Sequence, residues 1–489
     1  MKRSDIRSSV RLAACLFLAV QLFGCSGGVE NSEAGGVGEG GTGYVASSAT
    51  GTVTGFGSVT GSGSVIVDGI RWDDRSARVE TEIDPRQAPV PTKAQLGQRV
   101  SIRYQEAGRA DVVSVEPEVR ARISAINEAS GALEFTAAGQ TIRINTTAGA
   151  GPTTVFDGFE LAAELRVDDL VEVHGAQRLD AATGVYSVAA ARVQRIAELP
   201  AGYERVSGIV QALDATAQSI RIGRLTINTA SATVLPSGRR LANGQRVTVW
   251  SRPAATAPTV FADVIRIRDD TLFDANEVRL SGYIGRLDDS RFDLGGTRVD
   301  AGNAAITPAG ARLDDDAYVL VTGMQQANGT VIASSIEVRS GSTRAQYVDI
   351  SGPVSGYVNI ERFYVHGVRI VANDVPMLVN CPNNRIGNGS FVNVIGFIDG
   401  SKVVAAQLQC TNGTVSTATS VSGVAEQVSQ SSRTFVLTRP GQAPRAVFWG
   451  SMTKFDDVSP ETLNGKGVEV TGVLDAASGR VLAVQIKRP

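Results

Sequence analysis

The side chains that could do chemistry are few and scattered. Two histidines occur in the 489 residues: His174, between Val173 and Gly175 at the end of an apolar run, and His366, beside Gly367 in a turn. Imidazole suits proton transfer and metal ligation near neutral pH, but these two lie far apart in the chain, so a shared site would require distant segments to meet. Carboxylates come in adjacent groups: Asp73-Asp74, Asp168-Asp169, Asp288-Asp289, Asp314-Asp315-Asp316 and Asp456-Asp457. Calcium needs several oxygens converging on one point, usually from alternate aspartates ahead of a glycine. Here the acids are adjacent and fall at predicted turns, where Asp bonds its own backbone. No G-x-S-x-G, C-x-x-C, H-E-x-x-H or P-loop occurs. Gly36, Gly38 and Gly41 match the spacing of a dinucleotide loop but lack the preceding strand and following helix. The pattern therefore points to no catalytic residue, no metal and no cofactor. Three tryptophans, Trp72, Trp250 and Trp449, stand at or near predicted strand ends and are the candidate ligand-contact aromatics. Their faces could stack on sugars, or pack between neighbouring domains.

The N-terminus carries an address. Lys2, Arg3, Arg7 and Arg11 precede an apolar run from Leu12 to Phe23, too short to cross a bilayer and arranged as a secretory signal peptide. The run ends in Leu22-Phe23-Gly24-Cys25, which resembles the bacterial lipobox; the resemblance implies that Cys25 is lipidated and begins the mature chain. The glycine-rich stretch behind it, through Gly43, has too few apolar side chains to fold and reads as a flexible tether. Ser26 after the cysteine implies sorting to the outer membrane. No other segment is long and apolar enough for a transmembrane helix.

The formal net charge is −2. Removing the leader leaves 43 basic against 48 acidic side chains, about −5. That balance, without a basic run, argues against nucleic acid, whose binding rests on phosphate neutralisation. Cys15 leaves with the leader, so Cys381 and Cys410 remain as an even pair in an oxidising compartment, read as a disulfide.

Self-similarity organises the rest of the chain. A first strand recurs at Gly51-Thr52-Val53, Ala121-Arg122-Ile123, Gly208-Ile209-Val210, Gly282-Tyr283-Ile284, Gly352-Pro353-Val354 and Gly423-Val424-Ala425. A later turn-plus-strand recurs with it, as in Gly97-Gln98-Arg99-Val100, Gly244-Gln245-Arg246-Val247 and Tyr318-Val319-Leu320-Val321. In four copies a hairpin is marked by Asp68-Gly69, Gly223-Arg224, Gly295-Gly296 or His366-Gly367, pairs that supply positive φ. Helix signals are limited to Ser459-Pro460-Glu461 and the stretch from Phe159 to Leu165. The expected architecture is all-β: six tandem five-stranded OB-like barrels, with SH3-like barrels as the alternative, forming a semi-rigid string. The expected boundaries are residues 1–24 for the signal peptide, 25–48 for the tether, and 49–118, 119–199, 203–270, 276–340, 346–412 and 418–489 for the repeats.

The N-terminal signature is the most specific motif. Gly40-Gly41-Thr42-Gly43 is followed by Gly51-Thr52-Val53-Thr54-Gly55-Phe56-Gly57-Ser58-Val59, then Val67-Asp68-Gly69-Ile70-Arg71-Trp72. This resembles a family of uncharacterised, mostly proteobacterial lipoproteins built from repeats catalogued only as a domain of unknown function. The usual pattern lacks residues 60–64, which look inserted. The resemblance implies tandem β-domains at the cell envelope and carries over no catalytic residue. The function expected is a non-catalytic envelope lipoprotein acting as spacer, scaffold or interaction module, bound to the membrane through lipid and to an envelope protein or glycan. Carbohydrate binding is the alternative, and an enzyme ranks last.

Overall fold

The computed structural model describes residues 47–59, 62–127, 133–146, 153–253, 259–268, 277–339, 347–373, 378–410, 418–475 and 480–488. The leader, Cys25 and nearly all of the tether lie outside the described residues. Among those described the protein is all-β, with helix confined to 3-10 turns such as Ala162–Glu164, Pro382–Asn384 and Pro460–Thr462. The last is closed by reciprocal bonds between Ser459 and Thr462, as the Ser-Pro start predicts.

Repeat 4 shows the common plan. Its five strands are Glu277–Asp288, Arg291–Leu294, Thr297–Asp300, Tyr318–Gln325 and Val331–Val338. The first pairs antiparallel with the second and the fourth, and the second pairs with the third. The third runs parallel to the fifth, and the fifth returns antiparallel to the fourth. The pairings therefore close a ring in the order one, two, three, five, four. Repeats 2 and 5 close in the same way, and repeat 6 is a closed barrel. Repeat 3 follows the plan with its first and fifth strands each broken in two. Repeat 1 closes through a single bridge from Asp73 to Arg109. Closure leaves few open edges, which suits short strands that could not protect them otherwise.

Apolar residues alternate along the strands and converge inside each ring. In repeat 4 these include Ile284, Phe292, Val299, Val319, Val321 and Ile336, all at most 1 % exposed. The hairpins between second and third strands obey the turn chemistry: Asp68 and Gly69 have φ of 47° and 80°, and His366 and Gly367 of 50° and 75°. Repeat 2 uses Ala138-Gly139 in the same conformation, a pair that residue type alone does not advertise. The extra residues 60–64 lengthen the first hairpin of repeat 1, where Val59 pairs with Ser62 and Gly57 with Ser64.

A second device repeats in the fourth strand. The register slips at Gly175, Gly323, Gly396 and Gly472, opposite the fifth strand. A Cβ on Gly396 would sit 2.3 Å from the Val404 carbonyl oxygen, and one on Gly323 would sit 2.3 Å from that of Ile332. A bulge bends the strand around the ring, and glycine lets the two backbones touch there. Gly396→Ala is expected to destabilise by about 1–3 kcal/mol, read as a lower urea midpoint; an unchanged midpoint would show the strand can move aside.

The repeats do not form a string of sequential neighbours. The first strand of repeat 1 pairs in parallel with that of repeat 4 (Ser48 with Val278) and that of repeat 5 (Gly55 with Asp349). The first strand of repeat 2 pairs antiparallel with that of repeat 3 through Arg120 and Arg205. Leu96 of repeat 1 and Val155 of repeat 2 are packed into the core of repeat 5. Backbone groups along the long first strands find partners in distant repeats, satisfying donors that a linear array would leave to water.

Candidate functional site

The three tryptophans are core residues. Trp72 and Trp250 are 1 % exposed and Trp449 is 5 % exposed. Trp72 packs on Tyr104 with ring centroids 4.7 Å apart, and Trp449 packs between Phe435 and Phe455. Trp250 is surrounded by the guanidiniums of Arg205, Arg266 and Arg268. None presents a face to a ligand, which removes them as sugar-stacking candidates; their apolar rings drive them inward before any surface role can arise. Cys381 and Cys410 form a disulfide within repeat 5.

Both histidines are held by structural hydrogen bonds. His366 Nε2 donates to the Ser351 carbonyl at 2.9 Å. His174 is fully buried in the seam between repeats 1 and 2. Its Nδ1 accepts from the Arg99 N–H at 3.3 Å, so the ring proton lies on Nε2, which donates to Glu172 Oε1 at 2.9 Å. Burial pushes the imidazole down toward the neutral form. Burial also opposes the Glu172 charge, but hydrogen bonds from His174 and Arg120 outweigh it and hold the carboxyl well below the usual range.

This seam continues into repeat 4. Arg99 Nη2 donates to the Ser281 carbonyl at 3.0 Å, and Ser281 Oγ to Asp68. Tyr318 Oη donates to Asp68 Oδ1 at 3.1 Å, and Arg339 Nη1 to the Asp68 carbonyl at 2.7 Å. A parallel seam joins repeats 1, 2 and 3. Glu118, fully buried, pairs with Arg246 and accepts from Gln177 Nε2 at 3.1 Å, while Glu82 pairs with Arg266 and Arg268. Beside them Arg205 is 1 % exposed, and burial lowers its pKa to about 9. Asp68 and one aspartate from each acid group except Asp73-Asp74 act as turn residues: Asp168, Asp289, Asp316 and Asp457 all have positive φ, and Asp315 Oδ1 accepts from Leu287 N at 2.9 Å.

One acid stands apart. Asp349, 8 % exposed, sits where repeat 5 meets repeat 1, and its Oδ1 has no hydrogen-bond partner. Burial pushes the carboxyl up to about 7, against the pull of Arg71 and Asn393. A folded-state pKa above the unfolded value near 3.9 means the folded protein holds the proton more tightly. The resulting stability is fully present below pH ~4 and is lost as pH rises through 7. Asp349→Asn is expected to remove about 2–3 kcal/mol of the stability difference between pH 5 and pH 8, making the variant the more stable protein at pH 8. Parallel stability–pH curves for the two proteins would refute this.

Where repeats 2, 3 and 4 converge lies an open cleft of about 550 Å³. Repeat 3 contributes Arg239, Arg246 and Arg268, and repeat 4 contributes Arg286 and Arg298; the one acid in the lining is Asp293, also from repeat 4. Asp293 takes Arg298 at 3.1 Å and Arg286 at 3.4 Å. Glu118 and Glu82, which hold Arg246 and Arg268, are absent from the lining. The cleft is thus a concave wall of hydrogen-bond donors with an excess of positive charge. Sequence reasoning missed it, although one signal was present: Arg99 and Arg246 occupy the same place in their repeats, after Gln98 and Gln245. Those glutamines close the same turn, each accepting a backbone N–H three residues earlier at 2.8 Å, and aim the arginine at a neighbouring repeat.

A family model described as a domain of unknown function, DUF5666, matches residues 120–185, 207–266, 281–337 and 422–487, together just over half of the chain. The chain belongs to this family. The four DUF5666 matches fall on repeats 2, 3, 4 and 6, whose strands share the ring order described above. Repeats 1 and 5 carry the same strand plan without a match, and both depart from it locally: repeat 1 through its lengthened hairpin, repeat 5 through its disulfide. No curated protein matches the chain.

Proposed function

We propose that the protein is a non-catalytic cell-envelope lipoprotein, held to the outer membrane by lipid on Cys25, whose six repeats act together as a scaffold or interaction module. The observation that carries this reading is where the reactive side chains are engaged. His174, Glu172, Asp68, Ser281 and Arg99 are all buried and bonded to one another between repeats. These five groups are withdrawn into the seams and hold repeats in fixed register, while the other histidine, His366, is exposed and bonded to the Ser351 carbonyl.

Within this reading each ring is an OB-like barrel. The strand order and the parallel contact between third and fifth strands favour it over an SH3-like barrel built from successive antiparallel hairpins. In place of the helix an OB fold can carry before its fourth strand, repeats 1 to 5 have a short strand, and among the described residues repeats 2, 5 and 6 have a 3-10 turn.

Two measurements test the proposal. Cys25→Ala is expected to move the protein from the membrane to the soluble fraction; retention at the wild-type level would remove the lipid anchor. Affinity capture with the full-length protein against envelope proteins and purified cell-wall glycans is expected to yield a saturable partner. Turnover of any glycan in the same assay would replace the scaffold reading with an enzymatic one.

A further inference from the structure

We propose that the arginine-lined cleft between repeats 2, 3 and 4 binds an acidic oligosaccharide, one whose negative charge comes from uronate carboxylates or sugar phosphates. This rests on the interaction-module reading and names the class of ligand that the module takes.

The lining chemistry leads there in steps. Guanidinium stays charged under all ordinary conditions and meets carboxylate or phosphate in a two-point fork. Five such groups and one carboxylate line the cleft; Glu118 and Glu82 hold Arg246 and Arg268 from behind, and Asp293 is shared by Arg286 and Arg298, so the lining keeps more cations than anions. Asn243 and Asn328 add amides whose oxygens are already engaged, by Leu213 N at 2.8 Å and Thr330 N at 2.9 Å. Each of those amides also carries an NH2 group with two donors. A wall of donors calls for a ligand rich in acceptors, which a saccharide with hydroxyl, ring and anionic oxygens is.

Competing ligands fit less well. Single-stranded nucleic acid needs aromatic faces on which bases stack, and the one aromatic residue in the lining, Tyr186, is only 4 % exposed. An acidic peptide would bring apolar anchors and find no apolar pocket to receive them. A volume of about 550 Å³ lies within the range of small-ligand sites and exceeds what a lone phosphate would fill. The placement also fits the barrel: repeat 4 supplies its second and third strands and the loop between its fourth and fifth, the face on which OB barrels take up oligosaccharides.

The test is calorimetric titration of the full-length protein in detergent with trigalacturonate, a phosphorylated monosaccharide, neutral maltotriose and hexathymidylate. At low salt, at least one anionic sugar is expected to bind saturably and at least ten-fold tighter than maltotriose, with affinity falling at least ten-fold in high salt. Preference for trigalacturonate or for the phosphosugar identifies the source of charge. Arg286→Gln combined with Arg298→Gln is expected to weaken binding at least ten-fold at an unchanged melting temperature. Glutamine suits the positive φ at position 286, since Gln427 holds φ 53° in repeat 6. Arg362→Gln, exposed at the start of the second strand of repeat 5 and outside the cleft lining, should leave binding unchanged. The proposal is overturned if neither anion binds, if maltotriose binds as well, if hexathymidylate binds tighter, or if the double variant keeps full affinity. Failure of every sugar alongside continued capture of an envelope protein would sink the ligand assignment and leave the scaffold reading standing.

Discussion

Glu118→Ala is expected to cost about 3–5 kcal/mol, the usual penalty for removing one partner of a buried ion pair. Glu118 is fully buried where the chain enters repeat 2, and it binds Arg246 of repeat 3 and Gln177 of repeat 2. Without it, Arg246, Arg205 and Arg268 share Glu116 with one compensating carboxylate fewer. The loss should appear as a lower urea midpoint and faster proteolysis between repeats 2 and 3. Replacing both members, Glu118→Leu with Arg246→Met, is expected to recover most of the stability, because a well-packed apolar pair needs no desolvated charge. A change below about 1 kcal/mol in the single variant would mean that water reaches the seam and the pair contributes little.

Reduction of the Cys381–Cys410 disulfide is the second large effect. The bond joins the residue just before the 3-10 turn of repeat 5 to the last residue of its fifth strand, 29 positions on. Releasing a loop of that length raises the entropy of the unfolded chain, an effect of about 3–4 kcal/mol in the chain-entropy model. Cys381→Ala with Cys410→Ala is therefore expected to lower the melting temperature of repeat 5 by several degrees, and reductant should do the same to the wild type and nothing to the variant. Because Leu96 and Val155 are packed into the repeat 5 core, the loss should spread to repeats 1 and 2. Identical melting with and without reductant would show that the folded repeat needs no cross-link.

Each effect depends on a different level of information. The disulfide could be read from Cys381 and Cys410 standing half a repeat apart in one unit, a spacing that leaves few alternatives once the pair is expected to be oxidised. Glu118 could not. In sequence it is one acid in Glu116-Pro117-Glu118, and its importance comes from Arg246, more than a hundred residues away. The same holds for the tryptophans: residue type allowed a sugar platform or packing between domains, and only the fold shows them buried, against Tyr104, Phe435 and Arg205. His174 was expected at a strand end, but it lies inside the strand Leu170–Leu179 beside the Gly175 bulge, and the partner that sets its tautomer, the Arg99 backbone, belongs to another repeat.

Local physics was carried by the sequence alone: alternating apolar residues for strands, positive-φ pairs for hairpins, a Ser-Pro start for the last helical turn, and a period of about seventy residues for the repeat. These depend on neighbours within a few positions, so pattern is enough to reveal them. The tertiary structure decided the strand order within each ring, the joining of repeat 1 to repeats 4 and 5, the polar seams and the cationic cleft. Those features arise from side chains and backbone edges that must find partners once water is excluded, and the partner is whichever group the fold brings near. One repeat unit can pack against its copies in many ways, and buried charges such as Glu118 and Arg246 select among them only when both are in place.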